Sequence, residues 1–495
     1  MSNLNDLRDV CAVILAAGEG NGMRSQRAKV LHSILGRPMV QYSVDLCLRL
    51  GVKRVLVVVG SQAEQVKEVL AGRPVEFVHQ REPRGTAHAV LQTELVLSGA
   101  EGTVLVLPGD MPLLTDETVR RLVEVQAATR TAATLLTAEL KNPTGYGRII
   151  RDHQGRLRRI VEEVEATEKE KVINEINAGV YCFRGSVLFE ALKYVKVSRV
   201  KGEFFLPEVM QIFIEQGQPI YTLQAPDPSE ALGVNTRIEM AEAAAVLRQR
   251  VQKRLMEAGV TLLDPQATYI DDTVTIGPET VIYPGVTLQG ATTVGAGCVI
   301  YPHCRIQDSH LADGITILDG SVILGSDVAE GCVIGPYAHL RPQSRLKAKA
   351  KVGNFCEVKK AVIGPGSKVP HLAYIGDASL GERVNIGAGT ITCNYDGFAK
   401  HETVIEDEVF VGSNTNLVAP VKVGKGAIIA AGSTITEAVP PEAVAFGRAP
   451  QVNKEGRAAT TRKMLEERAQ SREWRAESKQ SEIAGGKKWR YASSE

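Results

Sequence analysis

The chain has 495 residues, too many for a single hydrophobic core, so two or three domains are expected. Its 58 Lys and Arg residues nearly balance 57 Asp and Glu residues, which argues against a general nucleic-acid or membrane-surface binder. Hydrophobic residues make up 44% of the chain, which excludes wholesale disorder. Only 5% of the residues are aromatic and 46 are glycine, a balance that favours small aliphatic repeats over bulky helix-packed cores.

The sequence gives no indication of a signal peptide, a membrane span or a cysteine-based site. The polar start MSNLNDLRDV does not indicate a signal peptide, and the longest aliphatic runs have the length of strands rather than of membrane spans. The eight cysteines are scattered without a CxxC pair, so neither a zinc site nor a disulfide framework is expected. These features predict a cytoplasmic protein.

The first half alternates buried strands with helical segments. The strands are CAVILAAG, KRVLVVVG, VEFVHQ and TVLVLPGD, which begin at Cys11, Lys53, Val75 and Thr103. Helical stretches are predicted at 39–50, 63–70 and 86–97. This alternation predicts a Rossmann-like α/β domain at 1–235 with a mostly parallel sheet. Ligands are expected at the carboxyl ends of its strands.

A second architecture follows an Ala- and Glu-rich helix, which is read as a stiff linker at 236–259. Beyond it, aliphatic residues recur every six positions in several phases: Ile276, Ile282, Leu288, Val294, Ile300 and Ile306; Val322, Val328, Ile334, Leu340, Leu346, Val352 and Val358; Ile363, Val369 and Ile375; Leu380 and Ile386; and Ile405, Val411, Leu417, Val423, Ile429 and Ile435. A period of six fits neither a helix bundle nor an ordinary sheet. It predicts a parallel β-helix at 260–450, with about nine coils of ~18 residues each.

Two segments interrupt or follow this repeat. The insertion at 393–403 is expected to emerge as a functional loop. The tail at 451–495 loses the period and contains Trp474 and Trp489, with eleven basic and seven acidic residues. This modest charge does not favour nucleic-acid binding. We expect a tail that is partly helical and otherwise disordered.

The turn after the first strand carries the first candidate site. Successive small residues in LAAGEGNG allow backbone N–H groups to approach a phosphate or a base edge, although such a turn is often only a tight turn. Lys29 follows it, and Asp110 ends the fourth strand. A carboxylate there, with a second ligand elsewhere, is suited to magnesium beside a triphosphate. The structural alternative for Asp110 is a turn residue or helix cap.

The densest polar cluster lies on the later coils. Cations at Arg341 and Lys359 are placed on neighbouring coils, where they can hold one phosphate. An isolated histidine is more often structural, but His371 is accompanied by Tyr374, Asn385 and these cations. A histidine can deprotonate an ammonium nucleophile near neutral pH. Cys393 raises the alternative of an acyl-cysteine intermediate, which direct attack of an amine on a thioester does not need.

Several motifs resemble those of sugar-nucleotide pyrophosphorylases. They are LAAG with KVLH, RGTAH from Arg84, Gly109-Asp110, PTGYGRI from Pro143 and GVNTR from Gly233. Combined with the six-residue repeat, they resemble the bacterial bifunctional N-acetylglucosamine-1-phosphate uridyltransferase / glucosamine-1-phosphate N-acetyltransferase family over residues 10–456. The resemblance implies that the repeat forms a left-handed parallel β-helix of hexapeptide repeats.

The same resemblance implies roles for individual residues in both halves. Those at the UTP and UDP-N-acetylglucosamine site would be Leu15, Ala16, Ala17, Gly18, Lys29, Gln80, Gly85, Thr86, Pro108, Gly109, Asp110, Gly147, Glu162, Asn177 and Asn235. Asp110 and Asn235 would hold Mg²⁺, and Lys29 would neutralise phosphate charge. Gln80, Gly85 and Thr86 would read uracil, whereas Gly147, Glu162 and Asn177 would hold the N-acetylglucosamine. In the solenoid, His371 would be the general base, and Arg341, Lys359, Tyr374 and Asn385 would bind glucosamine 1-phosphate. The acetyl-coenzyme A site would comprise Ala388, Asn394, Tyr395, Ser413, Ala431 and Arg448.

The chain departs from the family pattern at two positions. Gly22 replaces the arginine of G-x-G-T-R-M, and Ala28 replaces the proline before Lys29. Loss of a guanidinium that stabilises phosphate charge predicts a weakened uridyltransferase, by up to several kcal/mol of transition-state stabilisation. Arg24, Arg27 and Arg84 are candidates for compensation. Restoring Arg at position 22 should then raise pyrophosphate release.

The resulting hypothesis is a bifunctional enzyme that makes UDP-N-acetylglucosamine for cell-wall precursors from acetyl-coenzyme A, UTP and sugar phosphates. One alternative retains only the acetyltransferase, since Gly22 impairs the other site. Others are a non-catalytic regulatory or scaffold subunit and a nucleotidyltransferase with another sugar or base. By analogy with prismatic solenoids, a homotrimer is expected. Neither nucleic acid nor a membrane is an expected partner.

Overall fold

The computed structural model describes residues 7, 9–18, 20–97, 102–198 and 202–485. These residues form a sheet flanked by helices, a long connecting helix, a three-sided solenoid and a terminal helix. Trp489 lies outside the described residues, as does the side chain of Trp474.

The first half contains eleven strands among the described residues. They are β1 (Val10–Ala16), β2 (Ser33–Ile34), β3 (Arg37–Pro38), β4 (Arg54–Val59), β5 (Glu76–His79), β6 (Thr103–Pro108), β7 (Ala133–Glu139), β8 (Arg148–Arg151), β9 (Leu157–Val161), β10 (Glu175–Arg184) and β11 (Ile220–Gln224). The main sheet has the order β11-β7-β10-β6-β1-β4-β5, with β8 and β9 attached to β10. All neighbours along this order are parallel except those of β10, which is antiparallel to β6 and β7. The predicted strands and the mostly parallel sheet are therefore confirmed.

Nine α-helices occur in the described part of the chain: α1 (Met39–Arg49), α2 (Ala63–Val69), α3 (Thr86–Leu91), α4 (Asp116–Thr129), α5 (Glu168–Lys171), α6 (Gly185–Leu192), α7 (Glu208–Glu215), α8 (Arg237–Glu257) and α9 (Arg457–Gly485). The prediction of a helix over 86–97 was wrong at its end. Beyond Leu91 the chain continues in turns, where the Thr93 hydroxyl donates to the Val90 carbonyl. Such local bonding competes with the helical pattern.

Helix α8 does more than separate the two halves. Thr236 caps its start and forms a capping box with Glu239. Its first half packs Ala243 and Leu247 with the sheet domain, whereas Val251 and Leu255 join the solenoid core. The helix therefore contributes buried side chains to two cores.

Thirty short strands build the solenoid in three parallel sheets. The first face contains Thr261–Leu262, Val281–Ile282, Val299–Ile300, Thr316–Ile317, Val333–Ile334, Lys351–Asn354, Lys368–His371, Asn385–Ile386, Phe410–Val411, Ile428–Ile429 and Val444–Ala445. The second face contains Tyr269–Ile270, Thr287–Gln289, Arg305–Gln307, Val322–Leu324, His339–Leu340, Glu357–Lys359, Tyr374–Gly376, Ile391–Cys393, Asn416–Val418 and Thr434–Ile435. The third face contains Thr275–Ile276, Thr293–Val294, His310–Leu311, Asp327–Val328, Arg345–Leu346, Val362–Ile363, Ala378–Leu380, Thr403–Ile405 and Val421–Val423.

This arrangement is the left-handed parallel β-helix of hexapeptide repeats. The six-residue period places one aliphatic side chain inside each face, and stacking the coils forms one continuous core. The assignment of Val322 to this core was wrong, because Ile323 is the fully buried residue and Val322 is only half-buried. The step from Ile323 to Val328 has five residues, so the phase changes there.

Two features lie outside the regular coils. The insertion between Cys393 and Thr403 emerges as a loop, as predicted. In the tail, α9 is exposed along 457–473. None of the helices in the described residues combines the length and apolar character that a membrane span requires.

Candidate active sites

A cavity of about 580 Å³ opens at the carboxyl ends of the parallel strands in the main sheet. The residues predicted from sequence that line it are Leu15, Ala17, Gly18, Lys29, Gln80, Gly85, Thr86, Pro108, Asp110, Gly147, Glu162 and Asn177. Ala16 lines a smaller neighbouring cavity of about 250 Å³. Gly109 lies between β6 and Asp110, and its N–H donates to the Leu15 carbonyl at 2.9 Å. The structure therefore brings the predicted nucleotide residues together around one opening.

Lys29 connects the two candidate metal ligands. Its ammonium forms an ion pair with Asp110 and donates to Asn235 Oδ1 at 2.8 Å. The backbone supports this placement, because the Val234 N–H donates to the Asp110 carbonyl at 3.0 Å. Two side-chain oxygens that are distant in sequence thus converge on one positive charge.

Both departures from the family pattern lie beside the Lys29 contacts, where Gly22 packs against Asn235 and Ala28 lines the smaller neighbouring cavity. A Cβ at Gly22 would lie 2.6 Å from the Asn235 carbonyl oxygen, so any side chain there displaces the backbone that presents Asn235. Ala28 has an N–H that proline lacks, and this group donates to Gln62 Oε1 at 2.7 Å. Among the compensation candidates, Arg84 is paired with Glu82.

Another part of the cavity lining is organised around Gln80. Its Nε2 contacts the Gly85 carbonyl at 3.1 Å and His88 Nδ1 at 2.9 Å. Gly85 has φ 103°, and a Cβ there would lie 2.5 Å from the Phe204 carbonyl oxygen, so this position requires glycine. His88 is the last residue of the RGTAH motif, which does not by itself reveal this contact. Burial, and secondarily the charge of Arg84, lowers its pKa.

A third wall of the cavity carries the residues predicted to bind the sugar. Asn177 Nδ2 donates to the Tyr181 hydroxyl at 2.6 Å, and the intervening Gly179 interrupts the register of β10. The Asn177 N–H donates to the Gly147 carbonyl at 2.9 Å. A Cβ at Gly147 would lie 3.3 Å from Glu162 Oε1, so glycine leaves room for that carboxylate.

On the solenoid, His371 ends a strand of the first face and lies in register with Asn354 on the preceding coil. His371 Nδ1 is 2.5 Å from Asn354 Oδ1. Because an amide oxygen only accepts hydrogen bonds, this contact places the proton on Nδ1 and leaves the Nε2 lone pair free to accept a proton. Asn354 belongs to the polar cluster of the sequence, but its function in orienting the ring comes from the stacking of coils.

Small side chains continue the His371 column on the coils above. Strand register places Ala388, Ser413 and Ala431 in line with it. The N–H groups of Asn414 and Gly432 donate to Ala388 and Ser413 at 2.7 and 2.8 Å. A Cβ at Gly432 would lie 3.7 Å from Arg448 Cδ, so the Arg448 side chain passes over this coil. The column is a path of small side chains that leads along successive coils from the imidazole to Arg448.

Cations gather on the second face beside this path. Arg341 NH1 pairs with Glu357 at 2.9 Å, and Lys359 Nζ lies 3.7 Å from Asp377. Lys400, from the insertion, has a lowered pKa mainly because its ammonium lies within hydrogen-bonding reach of Lys359, which carries the same charge. Asp377 and Lys400 were missed in sequence, since neither is part of a dense local motif. The cluster is suited to binding an anion.

The remaining predicted residues lie on the same coils and in the insertion, and one of them, Asn394, contacts the cluster. Asn394 Nδ2 donates to Asp377 Oδ2 at 2.5 Å and approaches the Tyr374 hydroxyl at 3.4 Å. Asn385 lies on the next coil of the first face, where it is in register with Lys368, a residue of the strand that ends at His371. Tyr395, at the start of the insertion, donates through its hydroxyl to the Gly397 carbonyl at 2.5 Å.

Comparison with known proteins agrees with these two architectures. Residues 11–228 match the family model "Nucleotidyl transferase", and residues 402–437 match "Bacterial transferase hexapeptide (six repeats)". The chain is 50% identical to the bifunctional protein GlmU of an Exiguobacterium species, over 90% of this chain and 98% of the relative. It is 48% identical to the GlmU proteins of Trichlorobacter lovleyi and Listeria monocytogenes, in each case over 90% of this chain and 97% of the relative. With two matched architectures and relatives that it covers almost completely, this chain belongs to the bifunctional GlmU family.

Proposed function

We propose that the protein makes UDP-N-acetylglucosamine in two steps. It transfers an acetyl group from acetyl-coenzyme A to glucosamine 1-phosphate, and then a uridylyl group from UTP to N-acetylglucosamine 1-phosphate with release of pyrophosphate. The observation that carries this function is the match to bifunctional GlmU proteins over 90% of the chain, across both halves. No comparison favours the acetyltransferase-only or scaffold alternatives. The product supplies cell-wall precursors.

We assign the activities to separate domains, the uridyltransferase to 1–235 and the acetyltransferase to 260–450, with 236–259 as linker and 451–495 as tail. This division is supported by the last strand of the main sheet, which ends at Gln224, and the last solenoid strand, which ends at Ala445.

In the uridyltransferase, the cavity holds the sugar phosphate beside the α-phosphorus of UTP. Gln80 reads the uracil edge, while Glu162 and Asn177 bind the acetylated sugar. Lys29 neutralises phosphate charge as the sugar phosphate attacks in line. Most of the rate enhancement then comes from positioning and charge neutralisation.

Asp110 and Asn235 fit a magnesium ion. Their oxygens already share one cation, the Lys29 ammonium, and a carboxylate with an amide oxygen is a typical protein contribution to Mg²⁺ bound by a nucleotide. When bound, Mg²⁺ supplies charge stabilisation to the phosphates. With Mg²⁺ on these two oxygens, the Lys29 ammonium would leave them and pair with the phosphates instead.

In the acetyltransferase, Arg341 and Lys359 hold the phosphate of glucosamine 1-phosphate, and Tyr374 and Asn385 orient the sugar. His371 Nε2 takes a proton from the sugar ammonium. The freed amine attacks the thioester carbonyl, the C–S bond breaks, and coenzyme A leaves as the thiol with the second proton that the attacking nitrogen gives up. The small residues Ala388, Ser413 and Ala431 leave room for the extended coenzyme, with Asn394, Tyr395 and Arg448 beside it.

The solenoid is proposed to form a homotrimer. Tyr337, Phe355 and Leu372 stack on successive coils beside the His371 column, with 57, 58 and 61% of their surfaces exposed. The rings of Tyr337 and Phe355 lie 5.6 Å apart. A contiguous apolar ridge of this kind is suited to burial against another subunit.

We also propose a cytoplasmic location, supported by the free thiols of all eight cysteines.

The proposed function is tested by two separate assays on the full chain. Free-thiol release from acetyl-coenzyme A with glucosamine 1-phosphate measures the first activity. Pyrophosphate release from UTP with N-acetylglucosamine 1-phosphate measures the second. Both are expected. Thiol release alone would instead establish the acetyltransferase-only alternative, and the absence of both would establish a non-catalytic protein.

Recognition of UTP is expected to weaken in acid. Burial keeps the pKa of His88 below its usual value of 6.5. Gln80 Nε2 can only donate and lies 2.9 Å from His88 Nδ1, so Nδ1 of the neutral ring is the acceptor in this contact. Protonation of Nδ1 would place two N–H donors against each other, so the KM for UTP should rise about fivefold as the pH falls through the His88 pKa.

The free energy of unfolding should also decrease as the pH falls below 6.5. The reason is that the unfolded chain, in which the His88 pKa is not lowered, binds the proton more readily than the folded protein.

The control for this pH effect is His88→Gln, since UTP also titrates in this range. The KM of the variant should lack the excess rise seen in the wild type. Parallel KM profiles for the two proteins between pH 5 and 7 would contradict the role of His88.

The steric and electrostatic consequences of Gly22 can be separated by two substitutions. Gly22→Ala should lower pyrophosphate release about tenfold, because its methyl group displaces the Asn235 carbonyl. Gly22→Arg meets the same obstacle, so the rise above wild type that the sequence predicts is opposed by the displaced Asn235 backbone. Because Gly22→Arg also adds a guanidinium, its activity should exceed that of Gly22→Ala. Equal activities would refute the idea that a guanidinium at this position stabilises phosphate charge.

A further inference from the structure

A buried arginine lies directly behind the sugar wall of the first cavity. Arg148 begins β8, next to Gly147 in the cavity lining, and its side chain is only 2% exposed. One of its terminal nitrogens donates to Glu163 Oε2 at 2.6 Å, and the other donates to the Tyr146 carbonyl. A longer contact of 3.4 Å reaches the carbonyl of Lys171, the last residue of α5. One guanidinium therefore connects three chain segments.

Its partner, Glu163, extends this connection to the same wall. The Glu163 carboxylate also accepts from the Gly145 N–H at 3.3 Å. Its neighbour Glu162 lines the cavity, as do the three residues 145–147. The ion pair therefore holds both backbone segments that form this side of the cavity.

Stability alone does not account for this arrangement. Arg148 Nε is buried and has no hydrogen-bond partner among the described residues, which is unfavourable. A buried ion pair is in general weak evidence for stabilisation, since an apolar side chain of similar volume often serves as well. Arg151 on the same strand provides a contrast. The Arg151 side chain is 31% exposed and pairs with Glu175, and neither residue lines the cavity.

We propose that Arg148 and Glu163 are positioning residues for the acceptor sugar of the uridyltransferase. The pair touches no substrate in this proposal, which rests on the proposed function. It sets the separation between the backbone at 145–147 and the Glu162 carboxylate. This separation should determine how well the site binds N-acetylglucosamine 1-phosphate. It should not affect UTP, which is proposed to bind at the other walls.

Kinetics of Glu163→Gln test this proposal. An amide oxygen still accepts from Arg148 and Gly145 but without charge assistance, so the KM for N-acetylglucosamine 1-phosphate should rise about fivefold. The KM for UTP and kcat at saturation should stay within about twofold of wild type, because their determinants lie elsewhere. Arg148→Lys should raise the sugar KM further, since an ammonium lacks the planar fork that reaches both Tyr146 and Glu163.

Glu175→Gln is the matched control, because it alters the other ion pair of β8. Its KM values should equal those of wild type. The inference is overturned if Glu163→Gln leaves the sugar KM unchanged, or if both KM values and the thermal midpoint change together, as a general structural defect requires. Failure of the wild type to release pyrophosphate would instead overturn the proposed function, and this inference with it.

Discussion

Replacing His371 with alanine is expected to slow acetyl transfer by about 10³-fold, the usual contribution of a general base. The sugar amine is protonated at neutral pH and cannot attack the thioester until it loses a proton. His371 lies one coil below Ala388, the first of the small side chains that lead to Arg448. The measurement is thiol release at saturating substrates, with pyrophosphate release on the same preparation.

The structural reason for this large effect is the Asn354 contact. The 2.5 Å contact with Nδ1 keeps the unprotonated Nε2 directed away from the preceding coil. Pyrophosphate release should be unchanged in the variant, because that site is built from the main sheet. A normal rate of acetyl transfer by folded His371→Ala protein would refute the proposed base.

His310→Ala is the matched control for this experiment. His310 is also an exposed solenoid histidine, but it lies on the third face, where it contacts Thr293. Its replacement should leave thiol release within about twofold of wild type, because surface substitutions have small effects. Equal losses in the two variants would indicate damage to the solenoid rather than to a catalytic group.

The second large effect is expected at Asp110. Asp110→Ala should reduce pyrophosphate release by about 10³-fold, because it removes the carboxylate proposed for Mg²⁺ and releases Lys29 from its ion pair. Acetyl transfer should be unaffected. Chelation of Mg²⁺ should abolish wild-type pyrophosphate release, with recovery when the ion is returned.

Asp116→Ala controls for the loss of a nearby carboxylate. Asp116 begins α4 and pairs with Arg49 at the surface, with side-chain exposures of 45 and 54%. Because exposed ion pairs contribute at most about 1 kcal/mol, this variant should release pyrophosphate at nearly the wild-type rate. Retention of full activity by Asp110→Ala would contradict the assignment of Asp110.

Much of the fold was predictable because its signals are local. The run of aliphatic residues in β1 identifies a buried strand without knowledge of its neighbours. The six-residue period likewise identifies the inward side of each coil, since it determines which side chains share a face. The exception at Val322 shows the limit of this rule, because the chain changes phase where one step is a residue shorter.

The candidate residues themselves came largely from motifs, but their contacts did not. The sequence by itself determined two architectures, a glycine-rich turn followed by Lys29, and a histidine among cations. Only the tertiary structure brought Lys29 to Asn235, which is 206 residues away, and stacked Asn354 below His371. It also revealed the buried pair of Arg148 and Glu163. The physical reason is that side-chain periodicity is a property of neighbours along the chain, whereas these contacts exist only after separate segments pack together.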